Sequence, residues 1–144
     1  MCIRDSPAPT TDLEGAVRQA QVITAATRSH VPLIRGEWLA PGTHLDLVGG
    51  YTPQTREADD EAARRSRIFV DRMESALDGV GDILQPIASG AIGREDVLGD
   101  LYDLVGGGAP GRLDDRDITL FKNAGGGHLD LMTAQAILAA LDPA

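Results

Sequence analysis

Short apolar runs alternate with helical patterns along this chain, and this alternation constrains its fold more than any other feature. Alternation of helices and strands with short links is typical of α/β folds with a largely parallel sheet. The runs are apolar throughout, as expected where helices cover both faces of a sheet. Strands are predicted at residues 22–27, 44–48, 68–70 and 118–121. Because three or four strands would leave an unprotected edge, we predict part of a doubly wound, Rossmann-like parallel sheet.

Helices are predicted between these strands from apolar spacing and capping residues. A helix at residues 13–20 follows Asp12 as its cap, and a helix at residues 57–66 follows Thr55. The second helix has acidic residues in its first turn and arginines at its end, which suits the helix dipole. Further helical patterns lie at residues 73–77, 97–105 and 130–141.

Charge and composition exclude several classes of function. The chain has 13 basic and 22 acidic residues, a formal net charge of −9. This charge repels a phosphate backbone, and no stretch approaches 18 apolar residues, so we expect neither nucleic-acid nor membrane partners. A single Cys2 and three separated histidines provide no disulfide framework and no zinc pattern. We therefore expect a reducing, cytoplasmic location, and we interpret residues 1–11 as a non-homologous or artefactual tail.

Residues 106–111 match the dinucleotide fingerprint G-x-G-x-x-G letter for letter. That fingerprint needs a strand before it and a helix after it. Here the helix predicted at residues 97–105, with Asp96 as its cap and Gly106 as its stop, comes first. We therefore interpret these glycines as a helix stop followed by a surface turn.

Small residues end the first two predicted strands. In open α/β sheets, ligands bind beyond the carboxyl ends of the strands, where small residues let a flat cofactor approach the backbone. The first such segment is Thr24, Ala25, Ala26 and Thr27. The same four residues equally suit a tightly packed buried strand.

The second strand end is followed by Val48, Gly49, Gly50 and Tyr51. Tyr51 has three interpretations: a proton donor, a stacking surface or a plain loop aromatic. Glycines at residues 125–127 precede the last predicted helix and have two interpretations. They present free amides to a phosphate or carboxylate, or they form a simple strand–helix turn in which Asp130 is the helix cap.

Five segments follow one another in an order and spacing typical of a known family. They are VITAAT (22–27), GEWLAPGTH (36–44), VGG (48–50) with Pro53, Arg56 and Glu57, FVD (69–71) with Gly81 and Asp82, and Gly111–Arg112 with ITLFKN (118–123). From about residue 17 to the end, the chain resembles the ornithine cyclodeaminase/mu-crystallin family.

The resemblance implies a domain organisation. Residues 12–124 would be the second half of a Rossmann-like NAD(P)-binding domain, and residues 125–144 a C-terminal return segment. The glycine fingerprint and the basic residues that hold the substrate carboxylate would lie before residue 1. We therefore expect this chain alone to be an inactive fragment of a homodimeric protein.

The same resemblance implies roles for the strand-end residues. The segment from Thr24 to Thr27 would line the adenosine and pyrophosphate of NAD(P)H, and Val48 and Gly49 would present backbone to its nicotinamide. Contacts with cofactor and substrate would fall to Asn123 and Ala124. Glu57 and Asp82 would hold loops rather than react.

Tyr51 is the departure from the family pattern that bears on chemistry. Ornithine cyclodeaminases have a proton-shuttling aspartate at this position, whereas a tyrosine, with an ordinary pKa of about 10, is a poor base at neutral pH. The resemblance therefore favours an NAD(P)H-dependent reductase of a cyclic imino acid such as pyrroline-2-carboxylate. Ornithine cyclodeaminase and a non-catalytic NADPH- and ligand-binding protein like mu-crystallin are the alternatives.

Overall fold

The structure is a computed structural model that describes residues 8–141. Its strands are β1 (Val22–Ala25), β2 (His44–Leu47), β3 (Ser66–Val70), β4 (Val97–Asp100) and β5 (Ile118–Lys122). Its helices are α1 (Leu13–Gln19), α2 (Asp60–Arg65), α3 (Met73–Gly79), α4 (Gly81–Ala88), α5 (Leu101–Gly106) and α6 (Gly127–Leu141). The tail predicted at residues 1–11 lies mostly outside the described residues. None of the described helices is long and apolar enough to cross a membrane.

All five strands form one parallel sheet in the order β1-β2-β5-β3-β4. The last strand in sequence therefore lies at the centre, where Leu120 pairs with Leu45 on one side and with Ile68 on the other. The prediction of an α/β fold with a parallel sheet is confirmed. Since all strands run the same way, their carboxyl ends meet at one edge.

Aliphatic side chains fill the core of this chain, whose aromatic content is low. Leu45, Leu47, Ile68 and Val70 are fully buried, and Leu120 is 1% exposed. These residues stand on the three central strands. Burial of apolar side chains contributes about 1.5–3 kcal/mol each, so the centre of the sheet is its most stable part.

The helix predicted at residues 57–66 begins later, at Asp60. Its cap is Asp59, whose carboxylate accepts a hydrogen bond from the Ala62 amide at 2.8 Å. The predicted cap, Thr55, instead bonds to Thr52. The prediction was wrong because the side chain of Glu57 bonds to backbone far away in sequence, which holds it outside the helix.

The helix predicted at residues 97–105 is a strand followed by a short helix. Val97 and Gly99 are buried while Leu98 between them is exposed, which is the period-two pattern of β4. Asp100, not Asp96, caps α5 by accepting hydrogen bonds from the amides of residues 102 and 103. Apolar spacing over so few residues does not separate strand from helix.

Glycine ends α5, as predicted from the segment 106–111. Gly107 closes this helix with a φ of +75°, a left-handed conformation that glycine adopts without strain. The interpretation of these glycines as a helix stop is therefore confirmed, although the left-handed residue is Gly107 and not Gly106.

Two further helices differ from the sequence analysis. No element is predicted from the sequence at Gly81–Ala88, where the structure has α4 with Pro86 inside it. The last helix begins at Gly127, three residues before its predicted start. Asp130 therefore lies in the first turn of α6 and is not its cap.

The apolar residues of α6 are exposed instead of covering the sheet. Their exposed fractions are 59% for Leu131, 61% for Met132, 54% for Ile137, 66% for Leu138 and 76% for Leu141. The edge strand β1 adds Val22, which is 65% exposed. Exposed apolar side chains of this kind promote association.

We expect this chain to bind the hydrophobic dye ANS and to self-associate. The double variant Ile137→Lys/Leu138→Lys should reduce both effects and leave the unfolding midpoint unchanged, because neither side chain is buried. Dye fluorescence and sedimentation velocity are the measurements. Val105→Lys, which changes a single apolar residue that is 83% exposed on α5, is the control. A wild-type chain that is a clean monomer without dye binding would contradict this expectation.

His44 has a structural partner at the amino end of the sheet. It is half-buried, and its Nδ1 lies 2.8 Å from the Thr119 hydroxyl on β5. Burial lowers the pKa of this imidazole below 6.5, and the positive charge of Arg112 adds to the shift, against an opposing contribution from Asp46. His44 therefore has a structural role in joining β2 to β5.

The lowered pKa of His44 predicts a stability that depends on pH. The unfolded chain takes up a proton near pH 6.5, whereas the folded chain does so only at lower pH. The free energy of unfolding should therefore fall as the pH decreases from about 6.5 through the folded pKa. Urea unfolding at a series of pH values would measure this fall, and His44→Asn should remove that part of it. Equal slopes for the two proteins would disprove the role of His44.

Candidate functional site

The carboxyl ends of β1, β2 and β5 are joined by backbone hydrogen bonds. The Val48 amide donates to the Ala25 carbonyl at 2.8 Å, and the Asn123 amide donates to the Leu47 carbonyl at 3.0 Å. The loops that follow these strands therefore begin side by side. The structure brings the predicted residues of all three loops to one edge of the sheet.

The segment from Thr24 to Thr27 is partly a packed strand and partly an accessible loop, so both of its interpretations apply. Ala25 is buried, as in a packed strand, while Thr24 and Ala26 are exposed. The strand ends at Ala25, so Ala26 and Thr27 belong to the loop. The Thr27 hydroxyl accepts a weak hydrogen bond from the Ser29 amide at 3.3 Å, which shapes that loop.

Gly49 stands where two backbones approach closely. A Cβ at this position would overlap the backbone oxygen and nitrogen of Thr27 and would lie 2.5 Å from Oε1 of Glu57. At the next residue, a Cβ on Gly50 would overlap the carboxylate of Asp82. The loop after β2 therefore packs on its neighbours through backbone alone.

Glu57 joins the first two strand ends. It is fully buried, and its Oε1 accepts a hydrogen bond from the Thr27 amide at 2.5 Å. Its Oε2 accepts from the Gly49 amide at 2.6 Å. Charged acceptors make short, strong hydrogen bonds of this kind. Glu57 therefore holds two loops, as the family resemblance implies.

Asp82 and Lys122 form a fully buried ion pair beneath these loops. Lys122 is the only lysine of the chain, and its Nζ lies 3.3 Å from Oδ2 of Asp82. Burial raises the pKa of the Asp82 carboxyl, and the charge of Lys122 opposes that shift. Asp82 Oδ1 accepts from the amides of Glu57 at 2.7 Å and Ala58 at 3.3 Å. Lys122 was not predicted as a site residue, although a lone lysine at the end of an apolar strand is a signal that the sequence contains.

Tyr51 lies at the same edge and is 51% exposed. Its backbone amide donates to the Gly49 carbonyl at 2.8 Å, which fixes a tight turn. The phenol has no hydrogen-bond partner within residues 8–141. These contacts do not separate the three interpretations of Tyr51, and its role remains a prediction.

Asn123 and Ala124 follow β5 and are both half-buried. The Asn123 side-chain oxygen accepts a hydrogen bond from the Gly125 amide at 2.8 Å. Gly125 has a φ of +86° and begins the turn that leads into α6. This geometry supports the simple turn as one role of the glycines, and the Asn123 side chain shapes that turn.

A concavity lies at the opposite, amino-terminal edge of the sheet. It has a volume of about 380 Å³, and its lining includes Arg64, Arg65, Arg67 and Arg116. Ligands of open α/β sheets bind at the carboxyl edge, so topology rather than cavity size locates the candidate site. Across the described part of the chain, no three acidic, histidine or cysteine side chains are grouped to hold a metal ion.

We predict that Gly49→Ala destabilises this chain by roughly 1–3 kcal/mol, because the added methyl group forces the two loops apart. Urea unfolding would measure the loss. Gly79→Ala is the matched control, since nothing lies within 4 Å of a Cβ there. An unchanged midpoint for Gly49→Ala would show that the loops separate freely.

Known proteins are similar to this chain in sequence and in fold. A Delta(1)-pyrroline-2-carboxylate reductase of Paracoccus denitrificans is 51% identical over 130 residues, which cover 90% of this chain and 41% of that protein. The Delta(1)-pyrroline-2-carboxylate reductase of Thermococcus litoralis, solved with NADH and L-proline, is 34% identical with a TM-score of 0.80, covering 85% of this chain and 38% of that one. The probable ornithine cyclodeaminase of Bordetella pertussis is also 34% identical with a TM-score of 0.80, covering 94% and 44%.

These similarities extend over nearly the whole described chain. The chain spans about two-fifths of the length of the curated relative and of the solved structures that it matches. The family model described as "Ornithine cyclodeaminase/mu-crystallin family" matches residues 8–141. The chain therefore belongs to the ornithine cyclodeaminase/mu-crystallin family.

Proposed function

We propose that the full-length protein is an NAD(P)H-dependent reductase of a cyclic imino acid such as pyrroline-2-carboxylate. The observation that carries the proposal is the carboxyl edge of the sheet, where the loops after β1, β2 and β5 begin side by side and Gly49 packs on the backbone of Thr27 without room for a side chain. The 51% identity to a pyrroline-2-carboxylate reductase supports the substrate class. The NADH in the similar reductase structure supports the cofactor.

The residues at this edge fit a nicotinamide cofactor. Val48 is 39% exposed beside Gly49, so a flat ring can approach both the side chain and the adjacent backbone. In this proposal, Thr24 to Thr27 line the adenosine and pyrophosphate side, and Val48 and Gly49 face the nicotinamide. Asn123 and Ala124 lie where cofactor and substrate meet.

The bound cofactor would supply a hydride to the carbon of the protonated C=N bond. The residues of this chain place and support the reacting groups. Glu57 holds the loops after β1 and β2 together, and the Asp82–Lys122 pair supports Glu57 from below. Reduction of a protonated imine requires no base, so an exposed phenol at Tyr51 is compatible with it.

Ornithine cyclodeamination is the second candidate, because a probable ornithine cyclodeaminase has the same fold at 34% identity. Oxidation of ornithine needs a base to remove a proton, and a phenol is a poor base near neutral pH. A tyrosine at residue 51, after Gly49 and Gly50, therefore favours imine reduction over cyclodeamination. Binding of NADPH and a ligand without catalysis is the third alternative. A homodimeric state and a cytoplasmic location remain predictions for the full-length protein.

We expect the full-length protein to show a higher kcat/KM for pyrroline-2-carboxylate than for ornithine. Tyr51→Phe should lower the imine reaction by less than about tenfold, because only an auxiliary hydroxyl is lost. A general acid or base typically contributes ~10²- to 10⁴-fold, so a loss of that size would make Tyr51 the proton donor. Tyr102→Phe, at an exposed position on α5, is the control. If ornithine is the better substrate, the protein is a cyclodeaminase and the proposal is wrong.

A further inference from the structure

Glu57 continues the sheet pairing beyond the point where the strands stop. The last backbone hydrogen bond between the β1 and β2 segments is donated by Val48 to Ala25 at 2.8 Å. After that residue, both chains turn away from strand geometry. The carboxylate of Glu57 then accepts the amides of Thr27 and Gly49, one on each oxygen. Beyond the strands, one side chain therefore bridges the two loops by hydrogen bonds.

The backbone amide and the backbone carbonyl of Glu57 are both hydrogen-bonded. Its amide donates to Asp82 Oδ1 at 2.7 Å, and its carbonyl accepts from the amides of Leu33 at 2.8 Å and Ile34 at 2.9 Å. The other oxygen of Asp82 faces Lys122 at the end of the central strand β5. A carboxylate anchored in this way cannot move without breaking buried bonds, so it fixes the positions of both amides.

We propose that Glu57 is a positioning residue for cofactor binding, which sets the distance between the two loops that receive the cofactor. This inference rests on the proposed function, because it assumes that the loops after β1 and β2 face NAD(P)H. It assigns Glu57 no contact with the cofactor or the reacting atoms. Its effect is to keep the binding-competent arrangement populated before the cofactor arrives.

The chemistry of the Glu57 carboxylate allows a substitution that changes one hydrogen-bonding group and keeps the size of the side chain. The two loops require two hydrogen-bond acceptors, and a carboxylate has them. Glu57→Gln keeps the size but replaces one acceptor with an NH₂ donor, which would face the N–H of Thr27 or Gly49. One of the two loops then loses its tether. If only a fraction of the folded protein keeps the competent spacing, the apparent Kd for the cofactor rises by the inverse of that fraction.

The test uses the full-length enzyme and NADH as the probe. For Glu57→Gln we expect the Kd for NADH, from nucleotide fluorescence without substrate, to rise roughly tenfold. The KM for NADH should rise in parallel, while kcat at saturating NADH changes little, because bound cofactor restores the spacing. Glu61→Gln is the matched control: it makes the same change at a partly exposed glutamate on α2 and should alter none of these values.

Two outcomes separate positioning from mere stability. A lower melting temperature for Glu57→Gln with an unchanged Kd for NADH would show a structural role only and would overturn the inference. A wild-type enzyme that binds NADH but does not reduce pyrroline-2-carboxylate would overturn the proposed substrate and leave the positioning role standing. A wild-type enzyme that does not bind NADH or NADPH would overturn both.

Amide hydrogen exchange tests the tether even if the variant does not fold. In the wild-type enzyme without nucleotide, the Thr27 and Gly49 amides should be protected as strongly as the Val48 amide, which donates within the sheet. Exchange of the Thr27 and Gly49 amides at the rate of an open loop would overturn the inference, because the carboxylate would not be holding them.

Discussion

The central position of β5 is the constraint on which the rest of the structure depends. This strand is the last in sequence, yet it lies between β2 and β3 and forms backbone hydrogen bonds with both. Without it, the sheet would separate into a β1–β2 pair and a β3–β4 pair that share no hydrogen bonds. Leu120, at its middle, faces Leu45 and Ile68 and is almost fully buried. Closing this non-local pairing assembles the core.

The central position of β5 also places a charged side chain in the interior of the protein. Lys122 ends β5, and its side chain is fully buried next to Asp82. An unpaired buried charge is strongly destabilising, whereas a paired one is tolerated when its remaining atoms are bonded. Asp82 supplies the opposite charge, and its Oδ1 accepts the amides of Glu57 and Ala58, whereas Lys122 Nζ has no hydrogen-bond partner within residues 8–141. The central strand is thereby coupled to the loop that carries Glu57.

In the proposed site, the residues that would approach a ligand differ from the residues that hold them in place. Thr27, Val48 and Gly49 present small side chains and backbone at the carboxyl edge of the sheet, whereas Glu57 and Asp82 are buried behind them. A site is held accurately when the supporting groups are locked by their own packing and hydrogen bonds. In a reductase whose cofactor supplies the hydride, such support is the main contribution that this part of the protein can make.

Secondary-structure elements that depend on residues adjacent along the chain can be predicted from the sequence. The apolar runs predict β1, β2, β3 and β5, Asp12 predicts the start of α1, and the order of the family segments indicates an α/β cofactor-binding domain. Local pattern also places Thr27 and Gly49 at strand ends. Only the tertiary structure decided that residues 97–100 form a strand, because a short apolar run becomes a strand when a neighbour, here β3, offers its edge.

The hydrogen-bond partners of Glu57 likewise become visible only in the folded protein. Local pattern placed it in the first turn of a helix, but its carboxylate bonds to an amide thirty residues away, and its own amide bonds to Asp82 twenty-five residues away. The local sequence patterns that predict a helix contain no information about such distant partners. The partner of Lys122 was hidden for the same reason: the pairing exists only once β5 has entered the sheet. Distant hydrogen bonds and buried charges outweigh local preference where they compete.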